Sequence, residues 1–344
     1  MQAAVMQDFG QPLALREMPR PVPGADEVLI QVQACGVCHS DLHIIDGDTP
    51  GFKAGTKAQL IPGHEVVGTV VERGTAVTHL AIGQRVGVAW MHDSCGQCEQ
   101  CREGLENLCR KIRTVTGMTV DGGYAEYMRA KASHALPVPD ALSSIEAAPL
   151  FCAGVTSYRA LYNAGLRAGQ RVAVVGVGGL GHLALQIALA AGAEVIALDV
   201  AEDKLDAARA LGASHAFDAR SRETPRAVAA LGGAHIAVVT SAARAAYELG
   251  FRCLRPAGTL SVVGLPPEPL GFGALQIVSG EYRIVGSAVG TRDDVRATLA
   301  LAASGKLRCH CHARPLAEVN AVLDEMRAGK IAGRAVLAME QPTR

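Results

Sequence analysis

Four cysteines, Cys95, Cys98, Cys101 and Cys109, fall within fifteen residues in the spacing C-x2-C-x2-C-x7-C. Three thiols at every third position and a fourth after a short loop let a small lobe fold around one tetrahedral metal. Zinc held by four thiolates (Zn–S about 2.3 Å) has a closed shell, with no place for water or substrate. The lobe, residues 92–112, therefore reads as a structural zinc site, and any chemistry lies elsewhere. A disulfide knot suits a small secreted domain, which this chain of 344 residues is not. An iron–sulfur cluster stays open, because cysteine spacing alone overlaps with ferredoxin patterns.

A chain of this length exceeds what one hydrophobic core usually supports, so two domains are expected. Lysine plus arginine and aspartate plus glutamate both number 33, which gives no electrostatic reason to expect nucleic acid or an anionic membrane as partner. The N-terminus shows no basic segment followed by an apolar run. The longest apolar stretch, residues 183–198, is interrupted by Gln186, Gly192 and Glu194, too broken to span a bilayer. Ten cysteines without a visible secretory signal point to reduced thiols, metal ligation and the cytoplasm.

The first 150 residues read as an irregular β-rich domain, with strands expected at 28–34, 65–72 and 83–90. Within it, Cys35 and Cys38 open the segment Cys38-His39-Ser40-Asp41-Leu42-His43, and His64 and Glu65 stand at a loop-to-strand junction. A catalytic zinc needs three protein ligands and one open position. Cys38 and His64 could supply two; from its own surroundings Cys152 reads as a buried free cysteine.

Residues 171–199 form a strand, a glycine-rich turn, a helix and a second strand. Gly176, Gly178 and Gly181 make G-x-G-x-x-G, with Gly179 and Leu180 between them and Asp199 closing the next strand. In that setting the motif is a strong dinucleotide signal: the glycines admit a pyrophosphate and the helix N-terminus offers it unpaired N–H groups. Asp199 would accept from an adenosine ribose and repel a 2′-phosphate, so NAD is favoured over NADP. Strands near 214–217, 235–239, 259–263 and 282–287 complete six, as a doubly wound parallel sheet requires. Beyond a helix over 292–304, the run Cys309-His310-Cys311-His312 alternates like an ordinary strand. A further helix is expected over 318–329, and Arg334 is open between a phosphate contact and a solvated side chain.

Together these pieces resemble the zinc-dependent medium-chain alcohol dehydrogenases of the bacterial and yeast type, over nearly the whole chain. The resemblance rests on residues 38–43, 63–65, the 95–109 lobe, 152–156, 176–181, Asp199 with Lys204, and Gly333-Arg334. It implies an α/β chain in which 1–153 and 290–344 form a GroES-like catalytic domain and 154–289 an inserted Rossmann domain. It implies two zinc ions and NAD: Cys38, His64 and Cys152 as catalytic zinc ligands, Asp41 behind His64, and Glu65 close to the metal. His39 and Arg334 would hold the pyrophosphate, Lys204 would join Asp199 at the ribose, and Thr156 would touch the nicotinamide. Ser40 would take the alcohol proton and pass it, by way of the nicotinamide ribose, to His43.

Yeast-type relatives carry a tryptophan after the Gly-Asp pair, where this chain has Thr49, and residues 49–59 form a longer loop. Trp90 keeps its place before the lobe. A wider pocket is therefore expected between Thr49 and Trp90, admitting medium-chain or aromatic primary alcohols beside ethanol. A polyol or secondary-alcohol dehydrogenase is the alternative within the superfamily. A non-catalytic zinc- and NAD-binding protein would have no reason to keep Ser40, His43 and an open zinc position, and a zinc-free quinone reductase would need none of the ligands. The resemblance further implies a homotetramer, or a homodimer.

Overall fold

The strand Glu27–Gly36 is buried along almost its whole length, and the first of two compact units is laid around it. In a computed structural model describing Met1–Met339, this unit comprises Met1–Cys152, Thr291–Ala303 and Cys309–Met339. Its seven-stranded sheet runs, edge to edge, Cys311–Pro315, Arg334–Ala338, Glu27–Gly36, Glu65–Arg73, Arg85–Val88 and Ala135–Pro137, with Tyr127–Lys131 also pairing on the long strand. Valine and isoleucine at alternating positions on Glu27–Gly36 and Glu65–Arg73 face a core shared with Tyr124, Met128, Val319 and Leu323. Two register shifts between these two strands bend the sheet.

Three local features differ from the sequence expectation. The segment after Cys38 is a helix, His39–Asp46, whose Leu42, Ile44 and Ile45 are buried while His39, Ser40 and His43 are not. Eight residues rich in histidine and aspartate carry too little apolar period for a sequence to show it. Pro50–Gly55 adds a short second helix. The strand expected at Cys309 begins only at Cys311, which pairs with Arg334 in parallel.

The second unit holds Ala153–Gly290 and Ser304–Arg308. Its six parallel strands lie in the order His215–Asp218, Glu194–Asp199, Arg171–Val175, Ala234–Val239, Leu254–Val262, Arg283–Gly286. The order reverses beside Arg171–Val175, so the crevice at the carboxyl end of that strand is the topological switch point where such sheets bind ligands. The central strands are apolar on both faces because helices cover both. No helix among the described residues is long and apolar enough to cross a membrane.

Candidate active site

Chain ends and turns, not regular elements, deliver the first cluster. Cys38 stands just before the helix His39–Asp46, His64 just before the strand Glu65–Arg73, and Cys152 just after the turn Ala148–Phe151. Their ligand atoms and a Glu65 carboxylate oxygen all lie within 4.8 Å of one another. Cys38 Sγ and Cys152 Sγ are 4.0 Å apart. Two thiolates on one tetrahedral zinc are about 3.8 Å apart, whereas a disulfide would bring them to about 2 Å. His64 is fully buried; its Nδ1–H donates to Asp41 Oδ1 at 2.9 Å, and its Nε2 has no partner. An orphaned buried nitrogen between two thiols is the donor set of a metal site.

The charges agree. The hydrogen bond with Cys152 holds the Cys38 thiol well below its usual range, and the same bond pushes Cys152 well above its own. Burial alone would depress the His64 imidazole, but Asp41 and Cys38 outweigh it and hold it well above normal. A cation among the three lets both thiols ionise and replaces the imidazole proton. Asp41, also fully buried, is itself held: its Oδ2 accepts from the Cys38 backbone N–H and from the Tyr124 hydroxyl, each at 2.9 Å.

Beside this cluster, Arg334 donates to Glu65 Oε1, with Arg334 3% exposed and Glu65 fully buried. Burial pushes the Glu65 carboxyl up to about 7 against the pull of Arg334. Room for that carboxylate comes from Gly36, where a Cβ would lie 1.8 Å from Glu65 Oε2. Arg334, which the resemblance places at the pyrophosphate, bonds Glu65, 269 residues away in sequence, through one terminal nitrogen, and its buried Nε has no partner. That long separation hid the pairing from the sequence.

The four lobe cysteines also lie within 4.8 Å of one another, with Cys95–Cys101 and Cys98–Cys109 sulfurs 3.9 Å apart. No sulfur is bonded to another. Backbone N–H groups of Gln97 and Cys98 point at Cys95 Sγ, and that of Ile112 at Cys109 Sγ. The Arg110 amide helps pull the Cys98 thiol down to about 6, while burial and its neighbours push Cys101 up to about 12. Four thiols this close ionise together only around a cation.

On helix His39–Asp46, which follows Cys38 directly, His39 is exposed and Ser40 and His43 are half-buried. His43 Nδ1 lies 2.9 Å from both oxygens of Asp48. Trp90 sets its ring edge-on against His64, centroids 4.8 Å apart, and Phe52 packs on Trp90 at 5.8 Å. Thr49 donates to Asp48 and leads into Pro50–Gly55, so aromatic bulk absent at Thr49 returns three residues later at Phe52. The sequence left Phe52, Asp48 and Tyr124 unread.

In the second unit, Gly176 adopts φ +91°, and a Cβ on Gly181 would lie 1.8 Å from the Gly176 carbonyl. Those two glycines serve the turn and the packing of helix Gly181–Ala190. Gly178 is different: a Cβ there meets no protein atom within 4 Å, so its cradle is open to a ligand. The helix begins at Leu180 without a side-chain cap, leaving N–H groups for an anion. Asp199 is buried, its Oδ2 accepting from Val177 N–H at 2.7 Å and its Oδ1 from Ala201 N–H at 3.0 Å. Lys204 is exposed one turn on, and Thr156 is buried in the helix Ala153–Asn163.

Comparisons agree with this geometry. Residues 24–140 match the family model described as alcohol dehydrogenase GroES-like domain, and residues 179–304 the one described as zinc-binding dehydrogenase. An alcohol dehydrogenase of Geobacillus stearothermophilus is 43% identical over 341 residues, 99% of this chain and 100% of that one. Among solved structures, the alcohol dehydrogenase of the archaeon Aeropyrum pernix superposes with a TM-score of 0.90 at 35% identity, covering 98% and 100% of the two chains. Acetophenone reductase from Geotrichum candidum, solved with NAD, superposes at 0.89 with 31% identity over 98% and 96%. With identity of this order over its whole length and both metal-binding clusters in place, this chain belongs to the zinc-dependent medium-chain alcohol dehydrogenase family.

Proposed function

We propose that this alcohol dehydrogenase oxidises primary alcohols, medium-chain and aromatic ones among them, to aldehydes, and catalyses the reverse reduction. The observation that carries the reading is the unpartnered Nε2 of fully buried His64, set between the Cys38 and Cys152 thiols. Cys38, His64 and Cys152 would hold zinc, which would supply Lewis-acid activation of an alcohol hydroxyl or a carbonyl, with bound NAD as the hydride acceptor.

The chain's residues supply the rest. Asp41, braced by Tyr124, orients His64 and fixes its tautomer. Arg334 bonds Glu65 and would restrain its carboxylate beside the zinc that Cys38, His64 and Cys152 would hold, leaving room for substrate. Ser40 takes the hydroxyl proton and His43, half-exposed, hands it to water. Trp90, backed by Phe52, gives the substrate's carbon chain an apolar wall. Gly176 to Gly181 cradle the pyrophosphate, with His39 a further contact and Thr156 at the nicotinamide. Asp199 and Lys204 hold the adenosine ribose, and the Asp199 carboxylate disfavours a 2′-phosphate.

Formation of NADH from ethanol, hexanol, benzyl alcohol and 1-phenylethanol tests the reading. Hexanol and benzyl alcohol are expected to match or exceed ethanol in kcat/KM. Strict preference for ethanol would refute the medium-chain and aromatic substrate range. Preference for 1-phenylethanol would favour a secondary-alcohol enzyme, the second reading suggested by likeness to acetophenone reductase.

We further propose a cytoplasmic homo-oligomer, a homotetramer in the first instance. Ten free cysteines suit a reducing compartment. The edge strand Arg283–Gly286 and the neighbouring helix expose Ile284, Leu275 (81%) and Val278 (72%), an apolar edge suited to a second copy. Light scattering is expected to give a multimer that Val278→Asp shifts towards monomer; a monomeric wild type would contradict it.

A further inference from the structure

We infer that Asp48 is a positioning residue for proton transfer, fixing the His43 imidazole in the tautomer the relay needs. The inference rests on the reading of His43 as the group that passes the substrate proton to water. Gly47, in the left-handed conformation at φ 65°, ends the helix His39–Asp46 and turns the chain so that Asp48 folds back along it. His43 Nδ1 then sits 2.9 Å from both Asp48 oxygens, and the Thr49 hydroxyl donates to Oδ1 at 3.0 Å. The carboxylate accepts only, so Nδ1 carries the hydrogen and Nε2 is left with its lone pair. An incoming proton is taken on Nε2, the imidazolium is stabilised by the Asp48 anion, and the same Nε2 proton leaves to water; Asp48 stays ionised throughout.

A structural purpose for the pair is weak. Its side chains are 31% and 52% exposed, and ion pairs so wetted contribute about 0–1 kcal/mol. No other described carboxylate is bonded to His43. Asp46, on the same helix, is bonded to Arg327 at 2.7 Å. Of the cations on neighbouring elements, Lys53 lies over the Phe9 ring, and His39 is one turn back on the helix.

The test uses the full-length, zinc-loaded enzyme with NAD and its best alcohol. Asp48→Asn donates an amide hydrogen to Nδ1 and forces the proton onto Nε2, blocking acceptance. The expected loss in kcat is roughly tenfold at pH 7, below the usual span of a positioned base because water reaches His43. The loss should close as pH rises and hydroxide takes the proton, with KM for alcohol unchanged and Asp48→Glu recovering part of the rate. Ring 15N NMR should show Nδ1–H in wild type and Nε2–H in Asp48→Asn. An unaltered pH–rate profile in Asp48→Asn, or Nε2–H in wild type, overturns the inference. If no alcohol is oxidised by wild type, the proposed function falls, while the ring spectrum still decides the tautomer.

Discussion

Tyr124 shows how a residue far from the metal in sequence can govern it. Its hydroxyl bonds Asp41, Asp41 bonds His64, and all three are fully buried. Tyr124→Phe leaves Asp41 Oδ2 with one donor and loosens the carboxylate that aims the imidazole. Loss of such an outer partner typically costs about 10–100-fold in metal affinity. We expect zinc at Cys38–His64–Cys152 to be lost to a competing chelator at correspondingly lower concentration, with the lobe zinc unaffected; equal retention by the variant would contradict the chain of bonds. Cys38 and His64 could be nominated from the sequence, but the full set of three was legible only through the family resemblance, because they are separated by 26 and 88 residues and Cys152 alone looks like a packed side chain. The lobe cysteines, by contrast, were legible from spacing, since their geometry is set within fifteen residues.

At the scale of elements, the zinc lobe is the part least able to stand unaided. It contains a four-residue helix, Glu99–Arg102, and a three-residue turn, Glu106–Leu108, neither with any buried residue. The rest of the unit grips it at two places. Arg292 holds Glu106 through a bidentate pair, and His134 stands between Ser94 (3.2 Å) and Ser133 (2.9 Å). Burial, aided by Arg292, pushes the His134 imidazole down to about 4 from the ordinary 6.5. Between those values the unfolded chain binds a proton that the folded chain does not, so stability is lost as pH falls from 6.5 to about 4 and levels below that. The loss amounts to about 3 kcal/mol. Urea unfolding across this range is expected to show the slope, and His134→Gln to flatten it; the same slope in the variant would contradict the assignment. The sequence revealed long strands and the nucleotide-binding turn because their periodicity is local. It concealed the helix at His39–Asp46 and the short strands at Gln2–Val5 and Ala14–Glu17, whose stability comes from pairing and burial.

Taken whole, the chain divides its labour between two units: one carries both metal-binding clusters, the other the dinucleotide cradle at the reversal of a parallel sheet. The first unit is assembled from three separate stretches, and the third delivers Arg334 to Glu65. No local pattern announces such a return, which is why the Arg334–Glu65 pairing was not legible in the sequence. Zinc held by the buried Cys38, His64 and Cys152, and not zinc in the lobe, would be the ion needed for alcohol turnover. The most direct measurement follows NADH formation against zinc content as the more labile ion is stripped by chelator and added back. About one zinc per chain is expected to remain in a folded, inactive protein, with activity returning in proportion to the second. Full turnover with only the lobe occupied, or with no zinc at all, would contradict it.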